Sequence, residues 1–382
     1  MKSTTIPTLS LSETLDLAFR VLLVPGNIML ILVRGMPLAI KFKIPLQLWF
    51  TCMVGRILLG GFNPRQIQFL STPTIDVYTA WIKKKRGQLS QQPGQGYLNR
   101  VNVDIEPLTG TEASILWLGD RKKASKFVLF FHGGGYVAPP LPGHFTWCWE
   151  AYVHGGPGGV NEVAVAVLQY TLAPGGKYPD QLRQAAIALN HLLQGGVNPR
   201  DLIIGGDSAG GNLVAQLAYH LLHPHVAVPV VKLENPIAGL FLVSPWLSNR
   251  TDTTSFKEYG NVDMLSAALV ERTSGYAVSM EDLEPKVDEA HPALVMDGDL
   301  SWLSGLPTIA SALYVTVGRR EVFSDAIIGF GEAAKERCPS MSIQLEVGER
   351  ECHDFILIEN QAEAAKDSTQ RMRDWASGIL ID

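Results

Sequence analysis

The chain has 382 residues, of which 46% are hydrophobic and 18% are charged, and this composition is sufficient for one large globular core. Its net charge of −5 provides no basic surface for a nucleic acid, so we expect no nucleic-acid partner. The four cysteines are far apart and form no C-x-x-C pair. This spacing argues against a zinc cluster or a disulfide framework and indicates a reducing, intracellular compartment.

Residues 1–60 differ in charge and hydrophobicity from the chain as a whole. They contain six basic and two acidic residues, and two apolar runs, 21–33 and 44–55, lie among them. Each run is shorter than the about 20 residues of a spanning helix, and Pro25-Gly26-Asn27 interrupts the first run, so a single transmembrane anchor is not favoured. Two interpretations stay open: helices that cover an apolar pocket, and a segment that lies on a membrane surface with its basic residues toward the headgroups.

A basic run, Lys83–Arg86, and the polar residues after it separate this segment from the rest of the chain. We interpret residues 1–95 as the N-terminal segment with its linker, and residues 96–382 as the main domain. In the main domain, apolar runs alternate with helical patterns, and uninterrupted apolar runs are typical of parallel strands that are buried on both faces. The predicted strands are 101–105, 112–119, 126–131, 163–170, 201–206, 238–244, 312–318 and 342–347, and the predicted helices are 180–193, 210–222 and 324–337. This order predicts an α/β fold with a mostly parallel central sheet and helices on both faces.

Residues 246–305 lie between two predicted strands. They are too long for a loop, and they contain helical patterns such as VDMLSAALVERTSGYA. We interpret them as a lid that is inserted into the main domain.

The first chemical motif follows the strand 201–206. In an open parallel sheet the active site lies beyond the carboxyl ends of the strands, so the residues after each strand are the candidates. Gly206–Gly210 has the pattern G-x-S-x-G between a predicted strand and a predicted helix, which is the context of a nucleophile elbow. Ser208 would occupy a strained turn at a helix N-terminus, where the helix dipole favours developing negative charge. We predict that Ser208 is a catalytic nucleophile.

A second motif, His132–Gly135, follows the strand 126–131. Three successive glycines are costly to order, so a fold keeps them where the chain turns tightly or where a ligand touches the backbone. Glycine N–H groups can approach the oxyanion of an acyl-transfer intermediate without a Cβ clash. We predict that the amides of Gly133, Gly134 and Ala209 form an oxyanion hole, and that His132 fixes the turn.

A serine nucleophile needs a base, and the base needs an acid that orients it. Where the serine lies on an elbow of this kind, the acid and the histidine follow it in the chain. We prefer His353, which follows the last predicted strand, to His291, which lies inside the predicted lid. Glu321 follows the strand 312–318 and is the preferred acid. Asp325 is the alternative, although its place after Ser324, a predicted N-cap, already gives it a structural explanation.

Together these motifs resemble the hormone-sensitive-lipase-like family of α/β-hydrolases, which includes arylacetamide deacetylases and fungal steryl acetyl hydrolases. The resemblance covers about residues 96–382 and is carried by HGGG (132–135), YTLAPGGKYPDQL (170–182), GGDSAGGNL (205–213), SPWL (244–247), Glu321–Asp325 and His353–Phe355. It implies the α/β-hydrolase fold, with Ser208 as nucleophile, the first acid of the Glu321/Asp325 pair as triad acid, and His353 as base. The family usually has aspartate where Glu321 stands. The resemblance also implies a helical cap, built from the N-terminal segment and the insertion, and a location at the endoplasmic-reticulum membrane or otherwise in the cytoplasm.

The expected activity is hydrolysis of a short acyl ester of a bulky apolar alcohol, such as a sterol, a terpenoid or a polyketide product, through an acyl-enzyme on Ser208. This chemistry needs no metal or organic cofactor. The expected partners are the small apolar ester and a membrane surface that residues 1–60 contact. An acyltransferase with the same three residues is the alternative, because an alcohol or amine can replace water at the acyl-enzyme. A non-catalytic small-molecule receptor is disfavoured, since such receptors typically lack the base and His353 is present.

Overall fold

A mixed β-sheet forms the centre of the molecule. A computed structural model describes residues 6–91, 95–153, 162–278, 292–358 and 366–380. In these residues the sheet has eight strands, namely β1 (Ile105–Pro107), β2 (Ser114–Leu118), β3 (Lys126–Phe131), β4 (Val163–Gln169), β5 (Leu202–Asp207), β6 (Gly239–Val243), β7 (Ala312–Gly318) and β8 (Ser342–Gly348). Their spatial order is β1-β2-β4-β3-β5-β6-β7-β8. β2 is antiparallel to β1 and β4, and all other neighbours are parallel, so the predicted mostly parallel sheet is confirmed.

Helices precede the sheet and connect its strands. They are α1 (Leu11–Lys41), α2 (Leu46–Gly61), α3 (Pro64–Leu70), α4 (Thr74–Leu89), α5 (Pro142–Cys148), α6 (Asp180–Gln194), α7 (Ala209–Leu222), α8 (Thr254–Tyr259), α9 (Ala267–Ala277), α10 (Leu306–Ile309), α11 (Ser324–Arg337), α12 (Phe355–Ile358) and α13 (Lys366–Ile379). The three predicted helices correspond to α6, α7 and α11. The predicted insertion contributes α8 and α9 between β6 and β7.

Two apolar clusters cover the two faces of the sheet. Successive strand residues alternate between them: Ile204 belongs to the cluster that α6, α7 and α11 cover, and Ile203 belongs to the cluster that α4, α5 and α13 cover. Because both faces are buried, every residue of β4 and β5 is buried, which explains the uninterrupted apolar runs in the sequence.

The N-terminal helix differs from the prediction. α1 is continuous from Leu11 to Lys41 and contains Pro25, where an interruption was expected. A proline in a helix interior costs about 3 kcal/mol, because it lacks an N–H group and its ring crowds the preceding turn. The leucine-rich residues on both sides favour the helix, and Pro25 itself is exposed. The inference that the first apolar run is too short to cross a membrane is therefore wrong: by length and composition alone, α1 is long and apolar enough, and its most apolar 18-residue window has a mean hydropathy of 1.9.

Candidate active site

Ser208 joins β5 to α7 at the carboxyl edge of the sheet. Its backbone has φ of +50° and ψ of −114°, a strained conformation for a residue with a side chain. The turn is tight enough that a Cβ on Gly210 would collide with the carbonyl group of Phe131. The N–H of Ser208 donates a 2.8 Å hydrogen bond to the carbonyl oxygen of Val243, which holds the strained residue in place. This strand–turn–helix arrangement is the one that the G-x-S-x-G motif predicts.

His353 lies after β8 and faces Ser208. Its Nε2 is 2.9 Å from the Oγ of Ser208, and the side chain is buried. Burial lowers the pKa of His353 to about 3, and the Asp207 carboxylate opposes this shift. The imidazole is therefore neutral, which is the form that can accept the serine proton.

Glu321 lies in the turn between β7 and α11, on the far side of the imidazole. Its Oε2 accepts hydrogen bonds from the Oγ of Ser244 at 2.7 Å and from the N–H of Gly318 at 3.3 Å. The same oxygen is 3.8 Å from the Nδ1 of His353. Among the described residues, neither this Nδ1 nor the Oε1 of Glu321 has a hydrogen-bond partner. Catalytic hydrogen bonds are often long without substrate and shorten when it binds, so Glu321 is placed to orient the imidazole.

Burial also acts on the acid. It raises the pKa of Glu321 well above its ordinary value, and the neighbouring Asp263 carboxylate raises it further. The hydroxyl of Ser244 and the N–H of Gly318 oppose this shift, because they donate to the ionised form.

The alternative acid, Asp325, does not approach His353. Its Oδ2 accepts a 2.9 Å hydrogen bond from the N–H of Ser255, at the start of α8. The structure therefore brings Glu321, and not Asp325, to the base. His291, the alternative base, lies outside the described residues.

The start of α11 also differs from the prediction. Phe323 occupies the N-cap position, and Ser324, the predicted N-cap, is the first helical residue. The reason is that the turn after β7 closes early, with the N–H of Ser324 donating to the carbonyl oxygen of Glu321 at 3.3 Å.

The glycine run lies beside the elbow. Phe131 at the end of β3 pairs with Gly206 at the end of β5, so the residues after these strands are neighbours. Gly134 has φ of +99°, a conformation that favours glycine. A Cβ on Gly133 would collide with the carboxylate of Asp207. The turn thus requires glycine for its conformation and for the close approach of β3 to β5.

The predicted oxyanion donors are available. In the part of the chain that the structure describes, the N–H groups of Gly133, Gly134 and Ala209 have no protein acceptor. His132 plays the structural role that was predicted. Its ring stacks on Tyr170 at 4.3 Å, and its Nδ1 is 2.7 Å from the carbonyl oxygen of Gly133. Burial lowers the pKa of His132 to about 3, so this ring is neutral as well.

The sequence did not predict a contact of Asp354, the residue after the base. Asp354 has φ of +55°, and its Oδ2 is 3.3 Å from the Nε2 of His353. Its N–H donates to the Oγ of Ser244 at 3.2 Å, so one serine hydroxyl contacts both Glu321 and the backbone of Asp354. Burial raises the pKa of Asp354 well above its ordinary value, and the carboxylates of Asp207 and Glu321 contribute. The motifs SPWL and His353–Phe355 contain these residues, but neither motif indicates the contact.

A third buried histidine, His144, lies beside the elbow. The Nε2 of His144 is 3.2 Å from the Oδ2 of Asp207, and its Nδ1 accepts the N–H of Leu141 at 3.0 Å. In neutral His144 the proton is therefore on Nε2, which donates to Asp207. No pattern in the sequence pairs these two residues.

A cavity of about 430 Å³ opens above Ser208 and His353. Its walls come from α2, from the insertion around α9, and from the loop that follows β3. They are mostly apolar, with Val54, Leu58, Leu59, Trp246, Met264, Leu265, Leu269, Val270, Phe323 and Leu357 among the lining residues. Two of the lining side chains, Val54 and Leu141, are also largely exposed, at 67% and 60%, so they mark its mouth. Within the described ranges, no three His, Cys, Asp or Glu side chains are grouped so that they could hold a metal ion.

The strand order and the strained serine between β5 and α7 define an α/β hydrolase, and comparisons with known proteins agree. The profile of a family described by its alpha/beta hydrolase fold matches residues 128–357, which is more than half of the chain. An esterase of Acinetobacter venetianus is 24% identical over 262 residues, which are 69% of this chain and 78% of that protein. Steryl acetyl hydrolase 1 of Saccharomyces cerevisiae is 26% identical over 136 residues, which are 35% of this chain and 29% of that protein.

A solved structure of an esterase from the bacterial hormone-sensitive lipase family superposes with a TM-score of 0.58 at 20% identity. The superposition covers 81% of this chain and 99% of that one. The chain therefore belongs to the α/β-hydrolase family whose profile it matches, it shares the fold of an esterase from the hormone-sensitive lipase family, and it is a carboxylic ester hydrolase.

Proposed function

We propose that this hydrolase removes a short acyl group, such as acetyl, from a bulky apolar alcohol of the sterol, terpenoid or polyketide type. The shape and chemistry of the cavity support the proposal. About 430 Å³ is within the range of pockets that hold a drug-sized molecule, and apolar side chains dominate its walls. The similarity to a protein named as a steryl acetyl hydrolase points in the same direction.

The reaction then follows from the positions of the side chains. The Nε2 of His353 accepts the proton of Ser208, and the Oγ attacks the ester carbonyl carbon. The amides of Gly133, Gly134 and Ala209 donate to the oxyanion of the tetrahedral intermediate. His353 passes its proton to the leaving alcohol, and water that the same imidazole activates then releases the acyl group from Ser208. Glu321 holds Nδ1 protonated and stabilises the imidazolium that forms twice in the cycle.

One observation carries this proposal: a hydroxyl on a strained elbow lies 2.9 Å from a neutral imidazole, at the base of an apolar cavity. The test compares wild type, Ser208→Ala and the control Ser301→Ala, which alters an exposed serine. The substrates are p-nitrophenyl esters from acetate to decanoate, together with a sterol acetate. Removal of a triad nucleophile lowers kcat by about 10⁴–10⁶, so Ser208→Ala should be inactive on every ester while the control is unchanged. Turnover of the sterol acetate by wild type supports the substrate class, and activity on p-nitrophenyl acetate alone contradicts it.

The proposal also assigns the N-terminal helices to a cap that sits on a membrane surface. α1 is mostly unburied: only 6% of its most apolar 18-residue window is inside the molecule. Its few buried residues, Leu17, Gly35 and Ala39, lie near both ends of the helix, so α1 lies along the body of the molecule and does not project from it. This placement favours a helix in the membrane interface over one that spans the bilayer.

The basic residues divide into two groups. Arg20 pairs with Asp16, and Arg56 donates to the backbone of the insertion, so these two are occupied inside the molecule. The second group can bind anionic headgroups and consists of Arg34, Lys41 and Lys43. Each basic residue near the membrane surface contributes about 1 kcal/mol of binding free energy. Exposed apolar residues of α2, such as Phe50 and Val54, continue this surface to the mouth of the cavity, so an apolar ester could enter from the lipid.

Flotation with liposomes tests this part of the proposal. Wild type should float at low salt with vesicles that contain anionic lipid, and Leu22→Glu, which places a charge on the exposed face of α1, should reduce the floating fraction. Val226→Glu is the matched control, since Val226 is fully exposed but lies in the loop after α7. If wild type stays in solution with and without anionic lipid, the membrane assignment is wrong. The N-terminal helices would then be assigned only to a cap over the cavity.

A further inference from the structure

Asp263 is a buried carboxylate in the insertion between β6 and β7. It contacts the backbone of two catalytic loops, namely the turn after β7, which contains Glu321, and the turn after β8, which contains His353. It is fully buried. Its Oδ2 accepts the N–H of Val322 at 2.9 Å, and its Oδ1 accepts the N–H of His353 at 3.0 Å. Oδ1 also accepts the N–H of Met264 at 2.7 Å. One side chain therefore uses both of its oxygens on backbone donors that are 59 and 90 residues away in the sequence.

The two distant donors belong to the acid and the base of the catalytic site. Val322 directly follows Glu321, and the other donor is the backbone of His353 itself. The direct contact between these side chains, from the Oε2 of Glu321 to the Nδ1 of His353, is 3.8 Å, which is longer than a hydrogen bond. The carboxylate of Asp263 therefore links the turn after β7 directly to the turn after β8. It does so where the side chains of Glu321 and His353 are too far apart for a hydrogen bond.

The backbone at Asp263 is also bonded to the N-terminal helices. The guanidinium of Arg56, on α2, donates to the carbonyl oxygen of Asp263 at 2.9 Å and to that of Leu265 at 3.4 Å. The segment that carries Asp263 is therefore held from one side by α2 and from the other by the catalytic loops. Met264 and Leu265, the next two residues, line the cavity.

A carboxylate is a costly choice at a buried position. Burial raises the pKa of Asp263 to about 6, although the three N–H donors and the Arg56 charge oppose the shift. An asparagine would avoid the cost of burying a charge, but it has one acceptor oxygen and cannot serve both loops. The site therefore uses the property that asparagine lacks, which is two acceptors on one rigid group.

We propose that Asp263 is a positioning residue that holds the turns of Glu321 and His353 at the separation from which the acid can orient the base. The inference rests on the proposed function, because it concerns the same serine, histidine and glutamate. Asp263 does not touch the substrate carbonyl in this role. It acts through the geometry of the other two residues, and a misplacement of about 1 Å in such a site can cost about 100-fold in rate.

The test is a double-mutant cycle on p-nitrophenyl acetate, with kcat and KM measured for Asp263→Asn, Glu321→Gln and the double variant. Asp263→Asn should lower kcat by about 10–100-fold with KM changed by less than about twofold, because the alignment of the base is lost and the cavity is kept. In the Glu321→Gln background the same substitution should have little further effect on kcat, since the contact through which it acts is already absent. Asp297→Asn is the matched control: Asp297 also accepts a backbone N–H within the insertion, from Asn249 at 2.9 Å, but it contacts neither catalytic loop.

The following outcomes would contradict the positioning role of Asp263. If Asp263→Asn keeps the wild-type kcat, or lowers kcat by the same factor with and without Glu321, the positioning role is wrong and the residue only stabilises the fold. If Asp263→Asn does not fold, Asp263→Glu, which keeps both acceptors on a longer arm, replaces it in the cycle under the same criteria. Ser208→Ala separates the two proposals: an active Ser208→Ala overturns the proposed function, whereas an inactive Ser208→Ala with a fully active Asp263→Asn overturns this inference alone.

Discussion

Replacing Glu321 by glutamine tests how the acid works. The Oε2 of Glu321 accepts hydrogen bonds from Ser244 and Gly318, and it is also the oxygen that lies 3.8 Å from the Nδ1 of His353. If the amide oxygen takes this position, it keeps these interactions, but the neutral amide cannot stabilise the imidazolium. If the NH₂ group takes this position, Nδ1 must become an acceptor, so the imidazole proton moves to Nε2, which points at Ser208, and the base is in the wrong tautomer.

The size of the loss follows from the loss of the carboxylate, which both orients the imidazole and stabilises its cation. An amide in place of the triad acid lowers kcat by about 10⁴ in a serine hydrolase, which is about 5.4 kcal/mol of transition-state stabilisation. Stability should not fall, because glutamine removes a buried carboxyl group whose ionised form burial disfavours. Asp325→Asn is the matched control. It weakens one hydrogen bond to Ser255 at a helix N-terminus, so it should cost about 0.3–1 kcal/mol of stability and leave kcat within about threefold.

The assay is steady-state hydrolysis of p-nitrophenyl acetate by the two variants and wild type, with thermal unfolding measured on the same samples. The reasoning is refuted if Asp325→Asn loses more activity than Glu321→Gln while both variants stay folded. The roles of the two acids would then have to be exchanged, against the contacts that the structure shows.

Three further predictions concern the oxyanion hole, the cap and the buried carboxylate. Gly134→Ala should lower kcat by about 10²–10³ in a folded protein, because alanine is strained at φ of +99° and the N–H donor would shift; unchanged kcat would remove Gly134 from the hole. Val54→Trp should narrow the mouth of the cavity, so kcat/KM for p-nitrophenyl decanoate should fall at least tenfold more than for the acetate, and an equal loss on both esters would contradict the cap. Asp263 binds its proton more tightly in the folded state, with a pKa of about 6 against 3.8, so it stabilises the protein below about pH 4 and loses this contribution as the pH rises through about 6. Urea unfolding from pH 4 to pH 7 should show wild type losing about 2 kcal/mol more than Asp263→Asn, and parallel pH profiles would show that the carboxyl group titrates normally.

The sheet and the positions of the candidate catalytic residues Ser208 and His353 were predictable because each depends on a local pattern. Strands that are buried on both faces, such as β4 and β5, contain almost no polar residues, so the apolar runs mark them directly. Ser208 follows β5, which is buried on both faces, and His353 follows β8, a partly exposed strand at the end of the strand order. The fold gathers the carboxyl ends of these strands at one edge of the sheet.

The remaining features depend on tertiary contacts that no local pattern encodes. Asp263 lies in a stretch that looks helical, and its partners are the backbones of Val322 and His353, which the sequence does not place beside it. The continuity of α1 through Pro25 was mispredicted for a different, local reason: the flanking helix-forming residues outweigh the proline penalty. The 3.8 Å separation of Glu321 from the base is likewise a property of the packed loops alone.

The central claim is that Ser208 forms a covalent acyl-enzyme with the help of His353. The most direct measurement is intact-mass and peptide analysis of the protein after treatment with a fluorophosphonate, which reacts with activated serines and stays attached. Wild type should gain a single adduct on the peptide that contains Ser208, His353→Ala should react at least about 100-fold more slowly, and Ser208→Ala should gain none. An adduct on another serine, or labelling of wild type no faster than of His353→Ala, would contradict the account.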